Sequence, residues 1–310
     1  MTILRQAAEE YLRLRRVLGF KLRDVGPALM RFLAFCENEG AAVVTVDLAR
    51  RWAVSSNASP ARATWRLQIV RDFAIHHQAS DPRTEIPPKG LFQCYYHRRN
   101  PYLYSEEEIG RLLQAARELP PGQGLRHRTY ATLFSLLTAT GLRVGEALAL
   151  DDVDVDWQAG LLVVRQSKFR KSRLVPVHAS TLDRLRQYQE ERARIYPTPK
   201  TAAFFVSESG QRLPYRTVNG LFRRLCARLR LQGSSTSRKP RIHDFRHRFV
   251  VNTLIRWYRE GVDVERFLPR LSTYLGHGCC AHTYWYLTAV PELLQLATER
   301  LEQKGQSHAR

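Results

Sequence analysis

Apolar side chains recur every three to four residues through most of the first 80 residues, which is the period expected for amphipathic helices. The pattern predicts four helices, near residues 3–18, 25–39 and 48–54 and from residue 60 onward. The fourth is introduced by Ser59 and Pro60, a capping residue followed by a proline at the first helical position. Short helices that each bury one apolar face pack into a small bundle, so residues 1–95 are predicted to form a helical domain.

Between Ser80 and Pro101 this pattern is interrupted by the segments DPRTEIPPKG and YYHRRNP. Proline-rich and basic stretches without apolar periodicity are typical of connections between domains. We therefore predict a linker at residues 96–103 and a second domain over residues 104–310.

The second domain is predicted to begin with a helix, because Ser105 can cap it and three glutamates fill its first turn. The period changes to strict alternation in VDVDW, LLVVRQS and SRLVPV, which are separated by Gly160 and by the basic turn KFRK. Alternation of this kind predicts a three-stranded antiparallel sheet. Helical periodicity covers residues 127–139, 180–195, 214–231, 243–260 and 291–303. The predicted fold class is mainly α with a small antiparallel sheet.

The composition is strongly basic, with 49 lysines and arginines against 29 acidic residues, a net charge of +20 and a pI near 10.3. Residues 1–100 carry +7 and residues 101–310 carry +13, so the excess is not confined to one tail. A preference for arginine codons would explain why only seven of the bases are lysine, but not why acids are few. Such a surface binds polyanions by releasing their counterions, which predicts a nucleic-acid partner for both domains.

Membrane and secreted proteins are not favoured by this sequence. It has no run of about 18 uncharged apolar residues, and its first 16 residues carry acids and lack the apolar region of a secretory signal. The five cysteines are scattered and odd in number, which does not suit a disulfide framework. We expect a cytoplasmic protein without a membrane partner.

Five separated segments each place a phosphate-binding or proton-transferring side chain at the boundary of a predicted element. The segments are GLRVGE, QSKFRKS, RIHDFRHRF, LGH and the tyrosine-containing stretch after it. Their candidate side chains are Arg143, Lys168, His243, Arg246, His277 and Tyr286. His243 and Arg246 are three residues apart, so on a helix they would share one face.

In these segments the chain resembles the tyrosine recombinase, or phage integrase, family. The resemblance consists of the arginine in TGLRVGEAL, a hairpin lysine before RLVP, H-x-x-R as HDFR, LGH, and a tyrosine nine residues after that histidine. It covers roughly residues 104–303, with the motifs in the family's order. It implies a mixed α/β catalytic domain there, and it implies that residues 1–95 are a core-binding domain that contacts DNA.

The resemblance implies cleavage and rejoining of DNA strands. Tyr286 would be the nucleophile and form a phosphotyrosine bond with the 3′ end of one strand. Arg143 and Arg246 would hold the non-bridging oxygens as negative charge builds on them. Lys168 is the implied acid for the departing 5′ oxygen, with Lys171 a rival in the same turn.

The remaining site residues have supporting roles in this hypothesis. His243 would accept the tyrosine proton or hydrogen-bond the phosphate, and His277 would donate a further hydrogen bond to it. Glu146 is implied as the carboxylate that orients the site. Because the arginines supply the positive charge, no metal and no other cofactor is expected. We expect Asp244, His247 and Arg248 to be surface residues or to contact the DNA backbone.

The segment LGHGCCAHTYWYLT also allows other interpretations. His277, Cys279, Cys280 and His282 resemble a metal site, but they are too closely spaced for one tetrahedral chelate. Tyr284 competes with Tyr286 as nucleophile, yet it lies about 200° away around a helix and lacks the nine-residue offset. The following helix, opened by Pro291, would dock on a neighbouring protomer or fold back on its own core.

The predicted function is therefore a site-specific recombinase that serves integration, excision or transposition of a mobile element. It would act on double-stranded DNA as a homotetramer on two sites, alone or together with related recombinases. A type IB topoisomerase, a catalytically inactive DNA-binding relative and an RNA-binding protein with coincidental motifs are the alternatives.

Overall fold

The computed structural model describes residues 2–92, 100–120, 124–165, 172–233 and 239–308. The chain divides into two compact units, Met1–Arg98 and Arg99–Arg310. Tyr102, which lies in the predicted linker, is buried in the core of the second unit. Among the residues just given, no helix is long and apolar enough to cross a membrane.

The four helices predicted for the first unit are confirmed. They are α1 (Ile3–Val17), α2 (Val25–Asn38), α3 (Val46–Val54) and α4 (Pro60–His77). The third begins two residues earlier than predicted because the side chain of Thr45 accepts a hydrogen bond from the amide of Leu48. Ser59 caps α4 in the same way, by accepting from the amide of Arg62. The apolar faces of all four helices meet in one core.

The second unit contains the predicted three-stranded sheet surrounded by helices. Its strands β1 (Val155–Asp156), β2 (Leu161–Val164) and β3 (Arg173–Pro176) are antiparallel in the order β1-β2-β3. Its helices are α5 (Glu106–Arg117), α6 (Arg126–Thr140), α7 (Val144–Ala149), α8 (Ala179–Ile195), α9 (Tyr215–Arg228), α10 (Asp244–Arg259), α11 (Val264–Leu275), α12 (Ala281–Ala289) and α13 (Pro291–His308). The capping box predicted at the start of α5 is confirmed, since Ser105 and Glu108 bond reciprocally.

Helix α10 contributes to two apolar clusters of the second unit. Phe245 at its start belongs to the large cluster that includes α5, α6, α9 and the sheet. Val250 and Val251 belong to a second cluster with α11, α12 and α13. Leu293 of α13 is fully buried in this second cluster, so the C-terminal helix packs on its own chain here.

Two glycines end helices one or two residues before predicted site residues. Gly141 ends α6 with φ 62°, and Gly276 ends α11 with φ 66°. A Cβ at Gly141 would lie 2.6 Å from Cδ1 of Phe249, and one at Gly276 would lie 2.9 Å from Nη1 of Arg173. Both the left-handed backbone and the close packing therefore require glycine at these positions.

Candidate active site

Glu146, in the first turn of α7, accepts hydrogen bonds from two arginines. The amide of Arg143 donates to Oε2 at 3.0 Å and its Nη1 to Oε1 at 2.7 Å. From β3, Arg173 donates through Nη1 to Oε1 at 3.0 Å and through Nη2 to Oε2 at 2.8 Å. Four donors on two oxygens fix the carboxylate and, in turn, both guanidiniums.

The charge of Glu146 is preserved in spite of its burial. Burial alone would raise the pKa of this carboxyl, but the hydrogen bonds and charges of Arg173 and Arg143 outweigh burial and lower the pKa. The group is therefore ionised at neutral pH. It neutralises part of the positive charge gathered at this point.

Two guanidiniums are also anchored on backbone carbonyls at helix ends. Nη2 of Arg143 donates to the carbonyl of Gly276 at 3.0 Å. Arg246 donates through Nη1 to the carbonyl of Gly141 at 2.9 Å and through Nη2 to that of Leu275 at 2.5 Å. Helix C-termini carry partial negative charge, so they stabilise cations. The arrangement joins the ends of α6 and α11 to the start of α7.

Arg246 is almost completely buried and remains cationic. Its exposed fraction is 2%. Burial and the neighbouring charge of Arg143 lower its pKa to about 10. A guanidinium with this pKa keeps its charge at neutral pH, in a setting where water competes little for its donors.

His277 follows directly on Gly276 and is a neutral imidazole. Its Nδ1 is hydrogen-bonded to Oγ1 of Thr283 at 2.8 Å. Burial, with the positive charges of Arg246 and Arg143, lowers its pKa to about 3. The ring is thus uncharged under physiological conditions and can donate a hydrogen bond without adding charge.

The depressed pKa of His277 predicts that the second unit loses stability in mild acid. Below the ordinary histidine value of 6.5, the unfolded chain takes up a proton that the folded state takes up only near pH 3. Stability contributed by the neutral ring is therefore present above pH 6.5 and is lost as the pH falls. Unfolding midpoints measured between pH 7 and 4 should decline less steeply in His277→Gln. Equal slopes for the two proteins would contradict this assignment.

Tyr286 lies on the inner face of α12, whereas Tyr284 lies on its outer face. The exposed fractions are 2% for Tyr286 and 46% for Tyr284. The phenol oxygen of Tyr286 is hydrogen-bonded to Nδ1 of His247 at 2.8 Å. Of these two tyrosines, only Tyr286 therefore directs its oxygen toward α10.

His243 immediately precedes α10 and is exposed, whereas Arg246 one turn later is buried. The ring of His243 stands edge-on to that of His247, with centroids 4.9 Å apart. The predicted pair therefore brings one solvent-accessible imidazole and one buried guanidinium to the same end of the helix. Lys168 and its rival Lys171 lie outside the described residues.

The expectation that Asp244, His247 and Arg248 are surface residues was wrong. All three are buried, with exposed fractions of 6% or less. Asp244 pairs with Arg241, and Nε of Arg248 donates to the carbonyl of Tyr104 at 2.9 Å. These positions share the inner stripe of α10, because residues three and four apart lie on one helical face.

Arg173 is a site residue that none of the sequence motifs indicated. Its side chain is only 10% exposed, and Nε donates to the carbonyl of Tyr274 at 2.7 Å in addition to the pair with Glu146. An arginine at the start of an otherwise apolar strand was the available signal. It adds a third guanidinium to the cluster and links β3 to the end of α11.

The histidines and cysteines of LGHGCCAH do not gather around one point. Cys279 is exposed, with Sγ 3.7 Å from Nδ1 of His282, whereas Nδ1 of His277 bonds to Thr283. In the described part of the chain, no three His, Cys, Asp or Glu side chains group so as to hold a metal ion.

The described side chains form a cluster of fixed cations at the end of α11, the helix that precedes the one carrying Tyr286. Arg143 and Arg246 are fixed cations, and neutral His277 follows the end of α11 on which both are anchored. Charge-assisted donors of this kind bind oxyanions and favour phosphate through the planar guanidinium. The next helix, α12, carries Tyr286, the buried one of its two tyrosines.

Comparison with known proteins gives concordant results. Residues 103–292 match the sequence profile of the phage integrase family. A protein of Sinorhizobium fredii named as an integrase/recombinase is 46% identical over 309 residues, which cover 98% of each chain. The tyrosine recombinase XerC of Chlamydia caviae is 31% identical over 189 residues, covering 60% of this chain and 54% of its own.

Among solved structures, the integrase of transposon Tn1549 in complex with transposon right-end DNA has the same fold. It superimposes with a TM-score of 0.69 at 16% identity and covers 98% of this chain and 99% of its own. At this level of identity the similarity concerns the fold alone.

Proposed function

Since this chain belongs to the phage integrase family and is a tyrosine-type site-specific DNA recombinase, we propose that Tyr286 is its nucleophile. The phenol oxygen attacks a DNA phosphodiester, forms a 3′-phosphotyrosine bond and releases a 5′ hydroxyl. Rejoining reverses these steps with the 5′ end of another strand. The covalent intermediate stores the energy of the broken bond, so no external energy source is consumed.

One observation carries this proposal: Arg143 and Arg246 are both anchored at the C-terminal end of α11, with Tyr286 on the next helix. Attack on phosphorus places negative charge on the non-bridging oxygens. Preorganised guanidiniums stabilise that charge without reorganising, and they are most effective where water is excluded. Glu146 and Arg173 hold this arrangement in place and do not themselves need to contact DNA.

The histidines and the hairpin lysine complete the proposed machinery. Neutral His277 donates a hydrogen bond to a phosphate oxygen, and exposed His243 binds the same phosphate from the solvent side. Lys168 protonates the departing 5′ oxygen, which is a poor leaving group as an alkoxide. The assignment of Lys168 rests on its position in the turn before RLVP.

Double-stranded DNA is the substrate, and we propose that both units bind it. Each part of the chain is basic, so each gains affinity from counterion release. Joining two weak binders through a short connection raises their effective concentration on one duplex. Recombination exchanges four strands between two sites, which calls for four active sites in a homotetramer, formed alone or with related recombinases.

The proposed biological setting is the movement of a mobile element by integration, excision or transposition. The support is the relationship to proteins named as integrases and the fold shared with a transposon integrase. DNA flanking the gene should then contain inverted repeats or the ends of an element.

Covalent capture from a pool of random duplexes tests the proposed chemistry and identifies the target at the same time. The full-length protein is mixed with duplexes randomised on both sides of a nick, so that cleavage releases a short strand and prevents rejoining. We expect a protein joined to DNA through a 3′ phosphate and a released short strand with a 5′ hydroxyl, and sequencing of the captured DNA gives the recognition site.

The same capture should persist in excess EDTA, because guanidiniums and not metal ions balance the charge on phosphorus. The amount and rate of adduct are compared with and without chelator on the captured sequence. Loss of adduct on chelation and its restoration by zinc would contradict the proposal.

A plasmid carrying two captured sites then separates recombination, which yields rearranged circles, from simple relaxation by a topoisomerase.

A further inference from the structure

The phenol of Tyr286 has a specific partner on α10. Its oxygen lies 2.8 Å from Nδ1 of His247, and the two ring centroids are 5.4 Å apart. The exposed fractions are 2% for Tyr286 and 6% for His247. A hydrogen bond between two groups so well shielded from water is retained, because neither group can exchange it for a solvent bond.

The surroundings of His247 favour the tautomer in which Nδ1 is the acceptor. Oδ1 of Asp244 lies 3.8 Å from Nε2, which is too long for a hydrogen bond but close enough for electrostatic attraction. Asp244 is fully buried and is held as a carboxylate by Arg241, whose Nη2 lies 2.8 Å from Oδ1. This negative charge stabilises a proton on Nε2, and the lone pair of Nδ1 then faces the phenol.

The same negative charge would stabilise the imidazolium after it gains a proton. Asp244 and His243 face the imidazole from its own helix, Tyr286 faces it from α12, and Arg241 reaches it through Asp244. An ionised Tyr286 would raise the pKa of Arg246, so the phenol oxygen and that guanidinium interact electrostatically. The phenol thus has a hydrogen-bonded proton acceptor in His247 and interacts electrostatically with a guanidinium proposed to bind phosphate.

We propose that His247 is a catalytic residue of strand cleavage and accepts the proton of Tyr286, with Asp244 stabilising the resulting imidazolium. The inference rests on the proposed role of Tyr286 as nucleophile. It assigns acceptance of the tyrosine proton to buried His247 and leaves exposed His243 to bind phosphate. The arrangement follows the logic of an acid–histidine–nucleophile triad, with phenol in place of a hydroxyl.

The proposed step balances in both directions. As the Oη–P bond forms, the Oη–H bond of Tyr286 breaks and its proton moves to Nδ1 of His247. The P–O5′ bond breaks, and the 5′ oxygen leaves with a proton from a general acid, the role proposed for Lys168. In rejoining, the 5′ hydroxyl attacks phosphorus and gives up its proton to that group, while His247 returns its proton to the leaving phenolate.

The test compares His247→Asn with the wild type over a range of pH. Asparagine keeps a hydrogen-bonding group near the position of Nδ1 but cannot take up a proton. On the captured nicked duplex at pH 7, we expect the rate constant for adduct formation to fall by about 100-fold with DNA affinity retained. The wild-type rate should level off once the histidine is neutral. The rate of His247→Asn should keep rising about tenfold per pH unit, because the phenol must then ionise by itself.

Two further variants keep the inference testable if His247→Asn is poorly folded. Added imidazole should restore adduct formation in His247→Ala by occupying the space of the lost ring. His243→Asn should be slower than wild type but should keep its plateau. A wild-type plateau in His247→Asn, no rescue by imidazole, or loss of the plateau only in His243→Asn would overturn the inference.

Failure of the inference is distinguishable from failure of the proposed function. If Tyr286→Phe still forms adduct, the nucleophile itself is misassigned and both proposals fall. If Tyr286→Phe forms none while His247→Asn keeps the wild-type rate and pH profile, only the role of His247 is refuted.

Discussion

Replacement of Tyr286 by phenylalanine is expected to abolish the covalent protein–DNA adduct completely. The substitution removes only the oxygen that is proposed to attack the DNA and leaves the ring in its apolar cluster. It also deprives His247 of a buried partner, which should lower the free energy of unfolding by about 1 kcal/mol. The adduct is measured on a nicked duplex under denaturing conditions, and affinity for the same duplex should change little.

Tyr284→Phe is the matched control for this prediction. It is the same substitution two residues away on the same helix, but on the exposed face. It should form adduct at close to the wild-type rate and leave the unfolding free energy nearly unchanged. Adduct formation by Tyr286→Phe together with its loss in Tyr284→Phe would show that Tyr284 is the nucleophile.

Arg143→Lys is expected to slow adduct formation by about 1000-fold while DNA affinity stays within about threefold of wild type. Lysine preserves the charge but cannot donate in fixed directions to both Glu146 and the carbonyl of Gly276. The phosphate would then meet a mobile ammonium instead of a preorganised guanidinium. Single-turnover rates and equilibrium binding on the captured sequence separate the two effects.

Arg228→Lys provides the corresponding control outside the cluster. Arg228 is about half exposed and pairs with Glu118, so the same change should leave the adduct rate within about twofold of wild type. A wild-type rate in Arg143→Lys would refute the assigned role of Arg143. An equal fall in both variants would point to a general effect of exchanging arginine for lysine and not to a specific role of Arg143.

Features encoded by neighbouring residues could be predicted from the sequence. Helix starts at Ser59 and Ser105 follow from local capping chemistry, and the sheet follows from alternation between VDVDW and SRLVPV. The family resemblance identified the candidate side chains and their order. The opposite faces of Tyr284 and Tyr286 also followed from helical geometry alone.

Contacts between distant parts of the chain could not be predicted in this way. Arg173 meets Glu146 and the carbonyl of Tyr274, about 100 residues further on, only after β3 and α11 have packed together. No periodicity carries that information. The burial of His247 is a different case, because it lies in a helical stripe with Asp244 and Val251, and that stripe predicts an inward-facing position. Charged residues in that stripe were mistaken for surface groups.

The burial of Tyr286, the proposed nucleophile, has a consequence for which DNA the protein can cut. A protein searching for its target passes roughly a million to a billion competing positions, each with phosphodiesters of the same chemistry. A fully exposed phenol beside fixed arginines would threaten breakage at every one of them. If Tyr286 is the nucleophile as proposed, its exposed fraction of 2% keeps the attacking oxygen from a phosphodiester met by chance. On the proposed mechanism, only an encounter whose binding energy brings a phosphate to the oxygen, with its bond to His247 kept, would lead to a cut, so the target would be selected before any bond is broken.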